Sequence, residues 1–400
     1  MAISFIITTY NILPYIERCL TSVAQVARPG DEVIVVDDGS DDGTVEAIEG
    51  FSTGAGFPDG VDFRPLHLGA NTIGGVGIGG NIGLSEASRD TVFFVDGDDW
   101  IDQTGFTRAR AYWTLHQSDI LITNYLEYDE KNRKTKHPAD QHRWAELNRA
   151  QPLDALRRQA LSFIAVPWRK FYRRDFLEQH KLRFPEGDFF FEDNPLHWAV
   201  CLAAGSIGFL DTVICHHRIN RPGQTMVSTG SELAAFFTHF HTILDGLPED
   251  DPDLQATAVR WLLGNMNWHM QRLHPSARAS YASTAAETLA LISDTVWKQH
   301  VAPSESHKKI WPIADRLRQG DIWKIVDDWA SQDKGKTAGS AEDKALKALE
   351  AAFNKRIQAL ETSLNTRLRA LENALGETRR DVRGMANSKR FEALYNLNRD

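Results

Sequence analysis

Asp96, Asp98 and Asp99 close an apolar run in the stretch VFFVDGDDW at 92–100. A run of Val and Phe that stops at a turn has the character of a buried parallel strand. Open α/β sheets bind their ligands just beyond the carboxyl ends of such strands. Carboxylates gathered there repel one another unless a cation or hydrogen-bond donors offset them. Oxygen ligands suit Mg²⁺ or Mn²⁺, and Mg²⁺ is commonly held by one or two carboxylates together with substrate phosphates. Asp96 and Asp98, spaced by Gly97, are therefore the candidate metal ligands, with Asp98 expected to face solvent. The competing role is to cap a helix expected from Ile101 onward, because Asp is a favoured N-cap.

A second pair of acids, Asp37 and Asp38, ends the apolar stretch 32–36 and falls beside the expected position of Thr9, Tyr10 and Asn11. Acids at such strand ends hydrogen-bond ribose or base edges in nucleotide-binding folds. DDGS also makes an Asx-turn readily, which stands as the alternative. Trp168, Arg169, Lys170, Arg173 and Arg174 form a basic and aromatic cluster. Its Trp could stack on a sugar and its cations could hold phosphate, or the run could be a half-buried edge with snorkelling cations.

The elements that must position these groups follow from periodicity. Residues 3–8 are an apolar β-branched strand, and 14–26 carry Ile16, Cys19, Leu20 and Val23 at helical spacing. A second strand at 32–36, a short helix at 44–48 and a third strand at 61–66 continue the alternation, which implies a parallel sheet. Gly75, Gly77 and Gly80 spell GxGxxG. That fingerprint should follow the first strand and open a helix, whereas here the first strand already ends in TTYN and the next helix is expected near Asn81.

The chain has 400 residues, 42% hydrophobic and 25% charged, which is ordinary for a globular protein with a sizeable core. Its net charge of -9 argues against nucleic acid as a partner. Three widely spaced cysteines exclude a disulfide framework or zinc site and suit a reducing compartment. MAISFIITTYN lacks the features of a signal peptide, and no run approaches the length of a membrane span. The expectation is a cytoplasmic protein with at most peripheral contact at the inner face of the membrane.

TTYN at 8–11, VVDDGS at 35–40, GGNIGLSEAS at 79–88 and FFVDGDDW at 93–100 occur in the order and spacing of the family 2 glycosyltransferases with the GT-A fold, which the chain resembles. The resemblance is firm over about the first hundred residues and extends more loosely to about residue 226. It implies an α/β, Rossmann-like nucleotide-sugar-binding domain. In that domain Thr9, Asp37 and Asp38 would contact the nucleotide with Tyr10, Asn11 and Asn81 beside them. Asp96 would lie near ribose or diphosphate, and Asp98 would coordinate Mn²⁺ or Mg²⁺. Where relatives commonly read ARN, this chain has Gly79-Gly80-Asn81, so an arginine expected at the donor is missing.

For the acceptor half, 119–125 reads as a strand and 153–164 as a helix. FFFEDNP at 189–195 resembles the family's Glu-Asp motif just before a helix opened by Asn194-Pro195. The resemblance makes Asp193 the catalytic base, with Glu192 near acceptor or phosphate. Both acids would also favour a helix N-terminus without any catalytic role. After a short strand at 208–215, the family's donor-closing region would place Arg221, His216 or His217 at the pyrophosphate or metal.

Residues 229–330 read as a small helical domain, with helices at 233–247, 254–273 and 279–300 and with Trp261, Trp268 and Trp297 in its core. A polar linker at 331–341 leads to 342–388, where LKALEAAFNKR, IQALETSLNTR and LRALENALGET repeat every eleven residues, followed by a tail at 389–400. An eleven-residue apolar repeat favours a right-handed supercoil. The segment is therefore expected to join copies of the chain as a coiled coil, with an amphipathic membrane-surface helix as the rival.

Two function classes follow. One is an inverting glycosyltransferase over 1–228, moving a sugar from a nucleotide-sugar, a UDP-sugar first among donors, to a glycan or lipid-linked acceptor. The other is a non-catalytic carbohydrate-binding or scaffolding protein that recruits partners through its coiled coil. The presence of Asp96, Asp98 and Asp193 together favours the enzyme.

Overall fold

The computed structural model describes residues 1–336 apart from 54–55, 73–74, 188–189 and 223–228. Strand β1, Ile3–Thr9, forms because an unbroken β-branched and aromatic run can be buried on both faces of a sheet. β2, Glu32–Asp37, is buried along its whole length, and β4, Thr91–Asp96, is buried up to its last residue. With β3, Asp62–His67, they make a parallel set in which β1 lies between β2 and β4. The chain first runs β1 to β2 to β3 in one direction and then places β4 on the opposite side of β1. That reversal opens a crevice at the carboxyl ends of β1 and β4, the expected ligand position in such sheets.

The remaining strands are β5, Trp100–Ile101, β6, Ile120–Asp129, β7, Lys134–Lys136, β8, Lys170–Arg173, and β9, Ile207–Ile219. They complete a nine-stranded sheet of order β3-β2-β1-β4-β8-β6-β9-β5, with β7 on the flank of β6. β8 inserts antiparallel between β4 and β6, and β9 runs parallel to β6 with a bulged register. β5 pairs antiparallel with β9, Trp100 opposite His216 and Ile101 opposite Cys215. This short pairing lays the end of β9 over the acidic turn after β4.

Phe5, Phe93, Phe106 and Phe171 meet beneath the sheet with ring centroids 4.9 to 6.1 Å apart. At the opposite end of the strands from the crevice, Asp31 holds the Arg110 guanidinium through two 2.7 Å contacts and accepts the Ile3 N–H. Glu32, fully buried, accepts from Ser4, Ser88 and Arg64. Burial alone would raise its pKa, but these hydrogen bonds outweigh it and hold the carboxyl below its ordinary value.

Several boundaries differ from the sequence expectation for tertiary reasons. The helix expected near Asn81 spans Gly77–Glu86. Its glycines are weak helix formers, but a Cβ on Gly83 would stand 2.3 Å from Ile6 Cγ2, so bare backbone is what lets the helix approach β1. The strand expected to stop at 215 continues to Ile219 because β6 and β5 pair with it, which puts His216 and His217 inside a strand. Asp102, rather than the acids at 96–99, caps the helix Gln103–His116.

The helical part comprises Ala235–Asp245, Pro252–Met270, Arg278–Ala290 and Trp311–Arg318 with short turns between them. The helix expected at 279–300 stops at Ala290, and a separate π-turn covers Val296–Val301. Trp297 is fully buried, stacked on Trp311 at 4.6 Å, whereas Trp261 and Trp268 are half-buried. Met1–Val326 is one compact unit, so the boundary drawn at 228/229 falls inside a single body. The second unit is Asp327–Asp400. The last helix, Ile322–Lys336, runs into the stretch expected as linker from 331. The eleven-residue repeat at 342–388 and the tail lie outside the described residues. Among the described residues, no helix is long and apolar enough to cross a membrane.

Candidate active site

Register places the chemistry. Thr9 stands opposite Asp37 and Thr8 opposite Asp96, so β1, β2 and β4 deliver their carboxyl-end residues to one edge. The turn after β4 is tied to β1 by Gly97 N–H donating to Thr8 O at 3.0 Å, and Asp99 N–H closes it on Asp96 O at 2.9 Å. Only glycine fits in its centre, because a Cβ on Gly97 would lie 2.7 Å from Thr9 Cγ2 and 2.9 Å from Thr8 O. Asp96 and Asp98 thereby flank a point pressed against β1.

A cleft of about 350 Å³ opens there, within the range of small-molecule sites. Thr9, Tyr10, Asp38, Asp96, Asp98, Trp168, Glu192, Asp193, His217 and Arg221 all line it. Motifs more than 200 residues apart in sequence thus meet in one cavity. Tyr10 is half exposed at its rim, and Asp38 is fixed by the Thr72 N–H and hydroxyl and by the Asn71 amide, at 2.9 to 3.0 Å.

Asn11, Asp37, Asn81, Arg169 and His216 stand outside the cleft wall. Asp37 is wholly buried, taking bonds from the Thr9 hydroxyl and from Ser40. The DDGS turn is therefore real, and it orients Thr9. Asn11 exchanges bonds with Asp41. Asn81 clamps both backbone groups of Phe184 at 2.9 Å, and the Phe184 ring fills the space against Gly80 where a side chain would stand. Arg169 is fully buried on Asp140 and the Thr123 carbonyl, so it holds the fold rather than phosphate. His216 stacks on Trp100 at 4.9 Å. Trp168 reaches the cleft, but His217 covers one face of its ring at 4.8 Å.

The acidic turn meets a set of cations from the end of β9 and the residues just after it. His217 Nδ1 bonds Asp99 Oδ2 at 2.8 Å, and the Arg218 N–H donates to Asp99 Oδ1 at 2.7 Å. Arg218 also donates to the Asp98 carbonyl and pairs with Glu130. Arg221 pairs with the Asp98 carboxylate, and both guanidinium groups lie over the Tyr15 ring. Asp98 is therefore buried in an ion pair, not facing solvent as expected. Burial and the neighbouring Asp99 and Asp98 charges push the Asp96 carboxyl well up. His217 would be lowered by burial, but Asp99 and the other acids push it up to about 9.

Asp96, Asp99 and His217 bring ligand atoms within 4.8 Å of one another. Both Asp99 oxygens are already engaged by His217 and Arg218, so Asp99 acts on His217, while Asp96, Asp98 and His217 face the cleft. Two carboxylates and an imidazole fit a divalent cation such as Mn²⁺.

Also lining the cleft, Phe191 has φ 67, an uncommon value for an aromatic residue, just before Glu192 and Asp193. Its carbonyl is held by the Asn194 backbone and side chain at 3.2 and 2.9 Å, and the same amide donates to Asp193 Oδ1 at 3.0 Å. The helical part braces this wall, for His239 Nε2–H donates to Phe190 O at 2.6 Å and Phe236 packs on Phe191. Glu192 accepts the Gly77 N–H at 2.6 Å, and burial pushes its carboxyl up to about 7. Burial also raises Asp193, opposed by the Lys170 ammonium. Lys170 donates to Val166 O at 2.6 Å and is itself lowered to about 7 by burial.

Tyr15, Glu130 and Arg218 were not singled out by sequence reasoning. Only the burial pattern of the elements that carry them could have suggested their place.

Residues 4–181 match the model of glycosyl transferase family 2. The chain is 28% identical over 226 residues to the glycosyltransferase EpsJ of Bacillus subtilis, covering 56% of this chain and 63% of EpsJ. It is 28% identical over 230 residues to the poly(ribitol-phosphate) beta-N-acetylglucosaminyltransferase TarS of Staphylococcus aureus, covering 57% of this chain and 37% of TarS. It thus spans less than two thirds of either relative. The crystal structure of TarS 1-349 in complex with UDP-GlcNAc superposes with TM-score 0.65 at 23% identity, over 84% of this chain and 92% of that one, a likeness of fold. From its motifs and these matches, residues 4–181 are a domain of the glycosyl transferase family 2 type.

Proposed function

We propose that the chain transfers a sugar with inversion from a nucleotide-diphosphate sugar to an acceptor hydroxyl. The observation that carries this reading is the shared cleft, whose lining includes both the Asp96–Asp98 turn and Asp193. Thr9, Tyr10 and Asp38 receive the nucleotide, with Asp37 fixing Thr9 from behind. Asp193 takes the proton of the acceptor hydroxyl as its oxygen attacks the anomeric carbon from the face opposite the leaving group. The sugar–phosphate C–O bond breaks, and its electron pair departs with the nucleoside diphosphate. Arg221 lies on the cleft wall where that diphosphate would sit. A divalent cation on Asp96, Asp98 and His217 would supply Lewis-acid stabilisation of the departing phosphate charge.

The relatives guide the choice of substrate. The TarS crystals contain UDP-GlcNAc, and TarS is by name a transferase acting on poly(ribitol-phosphate). A UDP-sugar is accordingly the proposed donor, and a surface glycan or lipid-linked polymer the proposed acceptor. A ligand that binds only the folded state raises the melting temperature. UDP-GlcNAc with Mn²⁺ should therefore raise it by several degrees, whereas either alone should do less. If none of the UDP-, GDP-, CDP- or dTDP-sugars moves the melting temperature, with or without Mn²⁺, the donor reading fails.

We further propose that 342–388 joins copies of the chain, as its eleven-residue apolar repeat suits a right-handed supercoil. Several catalytic domains on one assembly would meet a polymeric acceptor at raised effective concentration. Light scattering should give a larger oligomer for the full chain than for a version ending at Gly339. Equal masses for the two would remove the assembly role.

A further inference from the structure

Arg221 and Arg218 approach the same acidic turn, but they are held differently. Arg218 is anchored to the Asp98 carbonyl, to Asp99 and to Glu130, so it is a fixed part of the turn. Arg221 has one carboxylate partner among the described residues, Asp98, through Nε on Oδ2. Its other contact is Nη1 to its neighbour's carbonyl, Pro222 O, at 3.0 Å. Both Arg221 and Asp98 line the cleft. A carboxylate of the cleft wall is thus already neutralised by a cation from the same wall.

The charges in the cluster explain why such a cation is there. Asp99 is engaged by His217 and by the Arg218 N–H, the Arg218 guanidinium is paired with Glu130, and the Asp98 carboxylate is paired with Arg221. A divalent cation entering alone would meet Arg221 on its own ligand oxygen. A nucleoside diphosphate entering alone would meet Asp96 and Asp98. Entering together, the cation takes the Asp98 carboxylate and the diphosphate takes Arg221, so each of these charges keeps a partner, provided that Arg221 exchanges one anion for the other. Both anions suit a guanidinium, which binds carboxylate and phosphate in similar geometry. The Tyr15 ring, 5.7 Å from the Arg221 guanidinium carbon, gives it a surface to turn on without losing contact.

We propose that Arg221 is a placeholder cation. It holds Asp98 until a divalent cation takes that oxygen, then turns to the donor diphosphate, so that metal and donor strengthen each other's binding. This rests on the reading of Asp98 as a metal ligand, and the test separates the two.

Mn²⁺ binding to the full chain is followed by electron paramagnetic resonance with and without UDP as probe, and UDP binding by calorimetry with and without Mn²⁺. In the wild-type chain each should tighten the other by about 5- to 150-fold, the usual span of coupling between sites. Arg221→Gln should bind Mn²⁺ alone more tightly than wild type and should lose most of that coupling. Arg221→Lys, which keeps the charge, should retain part of it. Asp98→Asn should weaken Mn²⁺ binding in every condition. If Asp98→Asn binds Mn²⁺ as wild type does, the metal assignment fails and the exchange with it. If Asp98→Asn weakens Mn²⁺ but Arg221→Gln binds it no more tightly than wild type, the metal assignment stands and the exchange is overturned.

Discussion

Asp193→Asn is expected to lower the transfer rate by about 10²- to 10⁴-fold, the usual worth of a positioned general base, while Mn²⁺ and UDP still bind. Asn keeps the shape of Asp and can still accept the Asn194 amide bond to Oδ1, so the wall from Phe191 to Asn194 should stay in place. What is lost is the basic oxygen. The same reading fixes the sign of the pH dependence. A general base must be ionised, and burial raises the Asp193 pKa. The rate should therefore fall, as pH drops, at a pH above the ordinary carboxylate range. Lys170 opposes the effect of burial, and with its own pKa at about 7 it is charged in the acid range where this limb lies. Lys170→Met should move the acid limb further upward, reducing rate at low pH more than at high pH. Initial rates across pH for wild type and both variants, with urea midpoints to control for folding, give the answer. A near-wild-type rate in Asp193→Asn would place the base elsewhere. An unmoved limb in Lys170→Met would detach Lys170 from it.

The strands that build the site were legible because each is governed by local pattern. β1, β2 and β4 are buried on both faces, so their sequences are plain apolar runs, and their ends are marked by TTYN, DDGS and DGDD. The resemblance added what pattern alone leaves open, that these ends share one cleft with Glu192 and Asp193. Side chains decided by distant partners were less legible. Asp37, Asn81 and Arg169 have residue types that suit a ligand, yet Thr9, Phe184 and Asp140 engage them first. The glycine-rich stretch before Asn81 reads as a loop by propensity, and only the close approach of Gly83 to Ile6 shows why a helix forms there. The end of β9 could not be placed from alternation, because its pairing with β5 is what prolongs it.

The same dependence on distant partners shapes the expectation for Asp98. Read locally, it is an exposed acid in a turn. In the structure its carboxylate is buried against Arg221 and its carbonyl against Arg218, both more than a hundred positions later in the chain. Asp98→Asn keeps the carbonyl contact and can still accept from Arg221 through its amide oxygen, so the turn should hold its shape. The substitution removes a negative charge that strengthens the hold on a divalent cation. A bound cation contributes several kcal/mol to stabilising transition-state charge, so transfer should fall by at least about 10²-fold. The wild-type rate should rise with Mn²⁺ and saturate, and the variant should need far more Mn²⁺ for a smaller rise. Asp99→Asn makes a useful contrast. Asp99 has both oxygens on His217 and Arg218, so its loss should loosen His217 and weaken the Mn²⁺ dependence less. Its effect should lie within the 10- to 100-fold typical of groups that orient a metal ligand. UDP release measured over a Mn²⁺ series, beside urea unfolding of each variant, separates lost metal from lost fold. A Mn²⁺ response in Asp98→Asn equal to that of wild type would remove Asp98 from the site and leave Asp96, Asp99 and His217 as the set to be tested.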